Sequence, residues 1–223
     1  MIELQIFDNL LRLPLFQGIS KFDLSNIVSH TKFDFNTIAA DEVIINEGDP
    51  CIQLYFILSG KIELMHTSDD HSYHVVETTE MPVVIQPEHI FGLRQHYTCG
   101  CKARTETKLV AINKKEILQL LNEYVIFRLN LLNMLSTRVQ NLNQRPWHKA
   151  PDTLEKRVTN FFVNHCQRPA GEKIFTIKMN QLALEVGDSR LEVSRALNNL
   201  QDRKLLTLHR GKIYIPALEK LLM

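Results

Sequence analysis

A chain of 223 residues, 44% hydrophobic and 23% charged, is globular, holds one large or two ordinary domains, and has enough apolar surface to fold unaided. A formal net charge of +1 argues for no partner by itself, and no apolar run approaches a membrane span. The scattered cysteines (Cys51, Cys99, Cys101, Cys166) argue against a disulfide framework and for a reducing cytoplasm, and the N-terminus, with Glu3, Asp8, Arg12 and Pro14, is not a secretory signal.

Residues up to Asn36 read as short helices, with an apolar turn at Leu15–Ile19 and Ser20 placed to cap a helix through Leu24, Ile27 and Val28. From Phe33 to Ile112 the pattern changes to short strands. Val43-Ile44-Ile45, Leu54–Leu58, Lys61–Met65, Tyr73–Val76, Val83-Val84-Ile85, Ile90-Phe91-Gly92 and Leu109–Ile112 are separated by turn residues. Ser59-Gly60 between two β-rich runs predicts a hairpin. Short strands at regular turns predict a sandwich, jelly roll or barrel. Asn113, with Glu116 three residues on, opens a short helix that carries Ile117, Leu118, Leu120 and Leu121.

The next stretch, Asn122–Arg145, contains neither Pro nor Gly and predicts a helix roughly 35 Å long at 1.5 Å per residue. Val125, Leu132 and Val139 recur every seventh residue, and Leu135 and Leu142 interleave with them as a second seam position. Phe127, Leu129, Leu131 and Met134 lie off that seam and offer a flank to a neighbouring domain. Two readings stay open: a dimer seam, or an amphipathic helix packed on its own chain. Arg128, in the seam position between Leu121 and Leu135, counts against the first. Pro146 ends the helix, and the surrounding Gln-Arg-Pro-Trp-His-Lys-Ala-Pro is the expected hinge.

Beyond the hinge, Asp152 with Glu155 predicts a capped helix with the apolar stripe Leu154, Val158, Phe161 and Phe162, then a short strand at Ile174–Ile177. Two more helices are predicted over Gln181–Val186 and Arg190–Arg203. Gly187 supplies the left-handed turn between them, and Ser189 with Glu192 forms a capping box for the second. Val193, Ala196, Leu197 and Leu200 bury one side of that helix, leaving Arg190, Ser194, Arg195 and Asn198 on the others. This pattern is a helix-turn-helix whose second helix suits the major groove of double-stranded DNA, where an arginine can donate twice to guanine. A hairpin around Arg210-Gly211, with His209 and Lys212, would be a wing on the phosphate backbone. Charge agrees: from Ala150 onward 12 Lys and Arg face 8 Asp and Glu, a net of +4, whereas the remainder carries 14 against 17, a net of −3. No nucleophile elbow, P-loop or His-Glu-x-x-His motif points to an enzyme. A winged helix that contacts protein within a ligand-binding signalling module is the competing class.

Over nearly its full length the chain resembles the Crp/Fnr family of bacterial transcription regulators. Leu15–Ser20, Glu47-Gly48-Asp49, Leu54–Gly60 and Phe91-Gly92 carry the likeness to the family's cyclic-nucleotide-binding β-roll. Gly187–Arg190 and Val193–Leu197 carry the likeness to its winged helix. The resemblance implies an α+β fold: an N-terminal antiparallel β-roll (a cNMP-binding-like jelly roll), a long dimerisation helix and a C-terminal winged helix-turn-helix. The expected division is 1–121 for effector sensing, 122–145 for dimerisation through Val125, Leu132, Leu135, Val139 and Leu142, 146–151 as hinge, and 152–223 for DNA binding. It further implies a cytoplasmic homodimer on two half-sites about 34 Å apart, with DNA contacts from Ser189, Arg190, Glu192, Ser194, Arg195, Asn198, Arg210 and Lys212, and with RNA polymerase as partner if it activates.

The departures concern the effector. Cyclic-AMP-binding members follow Phe-Gly with a ribose-holding Glu, and grip the phosphate with an Arg-Ser pair. Here Leu93 stands at the first position, and Cys99 and Gly100 at the others, so cyclic AMP is not expected to bind in the usual way. Phe91, Gly92, Leu93, Cys99, Gly100 and Cys101 are the effector-pocket candidates by resemblance. No cysteine precedes Cys51, which removes the N-terminal iron–sulfur cluster of oxygen-sensing members. In the second helix Arg190 and Arg195 match the family, but the base-reading Glu between them is replaced by Leu191, with Glu192 one step later. His89, His96, Cys99 and Cys101 fall close together, so haem or metal sensing of redox state or nitric oxide stays open beside a small organic effector or no effector at all.

Overall fold

The computed structural model describes residues 9–80, 82–144 and 151–222. The chain divides into two compact units: Met1–Ile62 with Glu80–His148, and Glu63–Thr79 with Lys149–Met223.

Unit 1 begins with a 3₁₀ turn at Pro14–Phe16 and helix α1, Lys21–His30. The Ser20 hydroxyl caps α1 reciprocally, accepting from the Asp23 amide (3.0 Å) and donating to the Asp23 carboxylate (2.7 Å). Strands β1 (Asp34–Ile38), β3 (Gln53–Ser59), β6 (Val83–Val84) and β8 (Thr107–Asn113) form an antiparallel sheet in the order β1–β8–β3–β6, while β2 (Val43–Ile45) pairs with β7 (Gly100–Ala103). Period-two alternation gives the sheet two apolar faces. Leu54, Phe56, Val110 and Ile112 are buried on one, and Tyr55, Leu109 and Ala111 point to the other.

Asn113 caps helix α2 (Lys114–Glu123) by accepting from the Glu116 amide at 3.0 Å; the Glu116 carboxylate accepts from the Lys32 amide instead of closing a box. Helix α3 runs from Val125 to Gln144. It starts three residues later than predicted because Tyr124 is extended (φ −116°, ψ 101°) and closes α2 by donating to the Leu120 carbonyl. Phe127 and Leu131 of α3 are buried, and Phe16 meets Phe127 and Phe56 edge-on with ring centroids 5.1 and 5.9 Å away. Such pairs add about 0.5–1.5 kcal/mol each beyond area burial. The Asn130 amide donates to the carbonyls of Leu15 and Gln17, and Arg138 pairs with Glu88.

Two predicted elements differ. Ser59-Gly60 does not close a hairpin: β3 and β4 (Ile62–Thr67) lie in different sheets. Gly60 has φ +100°, and a Cβ there would stand 2.5 Å from the Glu106 carbonyl oxygen, so the chain turns out of the sheet where only glycine fits. Ile90-Phe91-Gly92 is a bend and not a strand, with Gly92 at φ +92°.

Unit 2 joins β4 and β5 (Tyr73–Thr79) to helix α4 (Leu154–Asn164), β9 (Lys173–Ile177), α5 (Met179–Val186), α6 (Arg190–Asp202), β10 (Thr207–His209) and β11 (Lys212–Ile215), with strand order β10–β11–β9–β5–β4. The stretch Glu63–Thr79, expected within the sensing half, is therefore part of the compact unit that contains the helix-turn-helix. The hinge expected over 146–151 lies almost wholly outside the described residues. Val75 enters the core of Phe161, Phe162, Phe175, Leu197 and Ile213, and Tyr73 meets the Phe161 ring at 5.6 Å. Helix α4 is capped by Thr153, one residue past Asp152, and the Glu155 carboxylate takes Arg203.

Antiparallel register sets Glu77 opposite Lys173. Both are buried, 3.2 Å apart. Glu77 also accepts from the amides of Gln167 (2.6 Å) and Arg168 (3.3 Å), and Lys173 donates to the Ala170 carbonyl. These bonds offset the desolvation of both charges. Lys173→Met, which leaves the Glu77 carboxylate buried without its cation, is expected to destabilise unit 2 by about 3–5 kcal/mol in urea denaturation, and Glu77→Gln in the same chain to recover part of the loss.

Candidate functional site

The helix-turn-helix is built around Gly187. Helix α5 ends there in the left-handed conformation (φ 65°, ψ 47°), and the Asp188 amide returns to the Ala183 carbonyl at 3.0 Å. The Ser189 hydroxyl then caps α6 by accepting from the Glu192 amide at 3.2 Å. Glu192 does not reciprocate; its carboxylate holds the Arg195 guanidinium at 2.5 Å on the exposed surface. Asp188, which the sequence reading did not assign a role, accepts from the Ser189 amide through one oxygen and pairs with Arg157 of α4 through the other. It ties the turn to the helix behind it. Its only sequence signal is its place between the turn glycine and the capping serine.

Val193, Leu197 and Leu200 are buried in the core shared with α4 and α5, and Ala196 is buried on the same side of the helix. Arg190, Leu191, Glu192, Arg195 and Asn198 are exposed and Ser194 half-buried. In the β10–β11 hairpin His209 pairs with Lys212 across the turn of Arg210 and Gly211, and all four are exposed. The eight DNA-contact candidates thus lie on one short helix, its cap and one hairpin of unit 2, without a packing role for their charged ends beyond the Glu192–Arg195 pair.

The effector candidates of unit 1 differ in exposure. Leu93 is fully exposed, Gly92 is exposed at the bend, and the Phe91 ring lies under the Lys114 ammonium, 5.3 Å from its centroid. Cys99 and Cys101 are buried. Gln86, a non-glycine residue at φ +43°, clamps this stretch from inside. Its amide nitrogen donates to the Cys99 carbonyl (3.0 Å), and its oxygen accepts from the amides of Thr98 (2.7 Å) and Cys99 (3.3 Å). The Cys99 amide, at the position where cyclic-AMP-binding relatives carry their arginine, is already spent on Gln86.

An open cavity of about 530 Å³ lies against the β1–β8–β3 sheet, lined by Asp34, Asn36, Gln53 and Tyr55 among apolar neighbours such as Val43 and Leu109. Its lining holds one carboxylate and no cation. Behind it the Tyr97 hydroxyl donates to the Gln53 carbonyl, and the Gln53 amide donates to the Tyr55 hydroxyl at 2.6 Å. Burial pushes the Tyr97 hydroxyl well above the ordinary tyrosine range.

His89 lies 3.2 Å from the Thr98 hydroxyl, and His96 lies 3.1 Å from the Gly48 carbonyl. Among the described residues no group of three or more His, Cys, Asp or Glu side chains is arranged to hold a metal ion. The residues expected as a cluster with Cys99 and Cys101 thus have separate partners.

Family models match both halves. The cyclic nucleotide-binding domain matches residues 35–124, and the Crp-like helix-turn-helix domain matches residues 156–223. The chain belongs to the Crp/Fnr family. It is similar to the cyclic AMP receptor protein of Thermus thermophilus, 23% identical over 207 residues that span 91% of this chain and 92% of that one. It is also similar to the global nitrogen regulator of Nostoc, 24% identical over 193 residues, 80% of this chain and 83% of the relative. The solved structure of the Thermus thermophilus catabolite activator protein shares the fold, with a TM-score of 0.54 and 21% identity over 94% of this chain and 96% of that one. The α+β architecture read from the sequence, β-roll followed by helix-turn-helix, is thereby met. No described helix is long and apolar enough to cross a membrane.

The four cysteines are unbridged and buried, and burial raises the thiols of Cys51 and Cys101 above the ordinary range. Such a shift disfavours the thiolate of Cys51 and Cys101 at neutral pH and makes these two poor nucleophiles. An aromatic disulfide reagent at pH 7.5 is expected to label the native chain at least ~10-fold more slowly than the chain in guanidinium; fast stoichiometric labelling would show that one of these thiols is reachable.

Proposed function

We propose that this Crp/Fnr-family chain is a homodimeric transcription regulator that binds operator DNA through its winged helix and is gated by an effector other than cyclic AMP. In this reading residues 1–121, apart from the Glu63–Thr79 stretch that packs with the helix-turn-helix, sense; 122–145 dimerise; and 152–223 bind DNA. The observation that carries the DNA-binding part is α6, with four buried apolar residues on one side and Arg190, Ser194, Arg195 and Asn198 on the other. Its polar side has the width and chemistry of a major-groove reader, with the basic β10–β11 turn available for phosphate.

Dimerisation is supported by α3. Val125, Leu129, Leu132, Val139 and Leu142 are exposed on this helix although all are apolar, while Leu135 is half-buried. A second copy is the occupant that a heptad-spaced stripe fits. Leu129, expected on the flank toward a neighbouring domain, belongs with the exposed stripe, and Arg128 beside it is exposed and free to reach water.

Against cyclic AMP stand two features of unit 1. The cavity offers no cation for a phosphate, and the backbone at Cys99 is engaged by Gln86. Family membership does not supply the effector, since the named relatives include both a cyclic AMP receptor and a nitrogen regulator. A cavity of this size takes a small organic molecule, and its single carboxylate favours a neutral or cationic one. If the protein activates, RNA polymerase is the further partner.

The test is a binding titration of the full chain on duplexes selected from a random pool. Affinity is expected to fall with salt by about 0.9 log units per released counterion per decade. Arg195→Ala is expected to reduce discrimination between selected and random duplexes by roughly 10- to 100-fold; unchanged discrimination would remove Arg195 from base reading. Leu132→Asp with Leu142→Asp is expected to sediment as a monomer and bind the selected duplex weakly, and a dimeric double variant would place the interface elsewhere.

A further inference from the structure

Helix α6 carries an apolar side chain where its surface is otherwise polar. Leu191 is 61% exposed, between Arg190 and Glu192 in the first turn. At about 100° per residue the four buried residues centre on one direction of the helix, and Leu191 lies within roughly 10° of the opposite direction. Asn198 lies two turns further along the same line, with Ser194 and Arg195 on either side. Leu191 is therefore at the crest of the surface, and at the helix N-terminus, the end that contacts base edges in a helix-turn-helix. Its neighbours are accounted for differently. Ser189 holds the helix cap, and Glu192 holds the Arg195 guanidinium.

A leucine at this crest cannot exchange hydrogen bonds with a base, and pressing it against a polar base edge would strand groups that water satisfies in the free duplex. The methyl group on C5 of thymine is the apolar feature of the major-groove edges. We propose that Leu191 is a specificity-determining residue that reads a pyrimidine 5-methyl group, thymine in unmodified DNA, next to the base contacted by Arg195. The proposal rests on the DNA-binding reading of α6 and adds to it the chemistry of one operator position. A 5-methylcytosine presents the same methyl on a different base pair, so the methyl and the pair are separable.

The experiment uses the full chain and the duplex that it enriches most strongly from a random pool. Each thymine is replaced in turn by deoxyuridine, which removes only the methyl. One thymine per half-site is expected to respond with a loss of affinity of roughly three- to tenfold. With Leu191→Ala, the ratio between the thymine and deoxyuridine duplexes at that position is expected to fall to near one. Because Leu191 is exposed and packs on nothing in the core, the thermal melting of the variant should match that of the parent. Placing 5-methylcytosine against guanine at the responsive position, compared with plain cytosine, should restore a Leu191-dependent gain. A duplex indifferent to every thymine methyl, or a methyl response that persists in Leu191→Ala, overturns the role of Leu191 while leaving the DNA-binding reading standing. A chain that enriches no duplex and shows no salt-dependent binding overturns both.

Discussion

Helix α3 carries apolar side chains on two faces, and among the described residues only one of them is covered. Phe127 and Leu131 fill the core of unit 1 against Phe16, and Asn130 and Arg138 fasten the same helix with polar contacts to Leu15, Gln17 and Glu88. Once that face is fixed, the register of the helix is set, and Val125, Leu132, Val139 and Leu142 are turned to solvent together. An isolated chain with this stripe keeps several large aliphatic side chains in water, and each would gain about 1.5–3 kcal/mol on full burial. The aromatic contact at Phe16 therefore decides which surface is left for the proposed second copy. Phe16 also meets Phe56 of β3, so the same residue packs α3 and the sheet whose other face lines the cavity.

Unit 2 applies a similar economy to the recognition helix. The outer side of α6 is free for a ligand because everything that positions it lies elsewhere. Ser189 caps it, Asp188 ties its turn to Arg157, and Phe162 and Phe175 sit in the core below. The β4–β5 hairpin is part of that support. It adds β5 to β9 along five registered residues and buries the Glu77–Lys173 pair, with Val75 and Tyr73 reaching the aromatic core. A buried ion pair contributes little net stability, but it penalises every pairing register that separates the two charges.

Local rules performed best where one residue does one job. Ser20, Asn113 and Ser189 cap the helices they were expected to cap, and Gly187 takes the left-handed turn. They did less well where a partner distant in sequence competes. Glu116 leaves its capping box for the Lys32 amide, Glu155 for Arg203, and Glu192 for Arg195. Ser59-Gly60 reads as a hairpin turn because glycine permits it; the closeness of Glu106 and Thr107 is what demands glycine, and it sends the chain to another sheet. Phe91 and Gly92 match a family pattern from which Leu93 departs, yet Lys114 covers Phe91 and Leu93 faces solvent. Gln86, which holds Cys99 from inside the roll, carries no local signal at all.

The sequence by itself determined the order of strands, long helix and helix-turn-helix, the exposed arginines of α6 and the apolar repeat of α3. Those features rest on periodicity, capping and glycine geometry, which act over a few residues. Only the tertiary structure decided that Leu129 joins the exposed stripe, that Glu63–Thr79 belongs with the helix-turn-helix, and that the cavity is lined by Asp34, Asn36, Gln53 and Tyr55. Each of these depends on which face is buried against residues far away in the chain, and burial of a face is a property of packing that no local pattern contains.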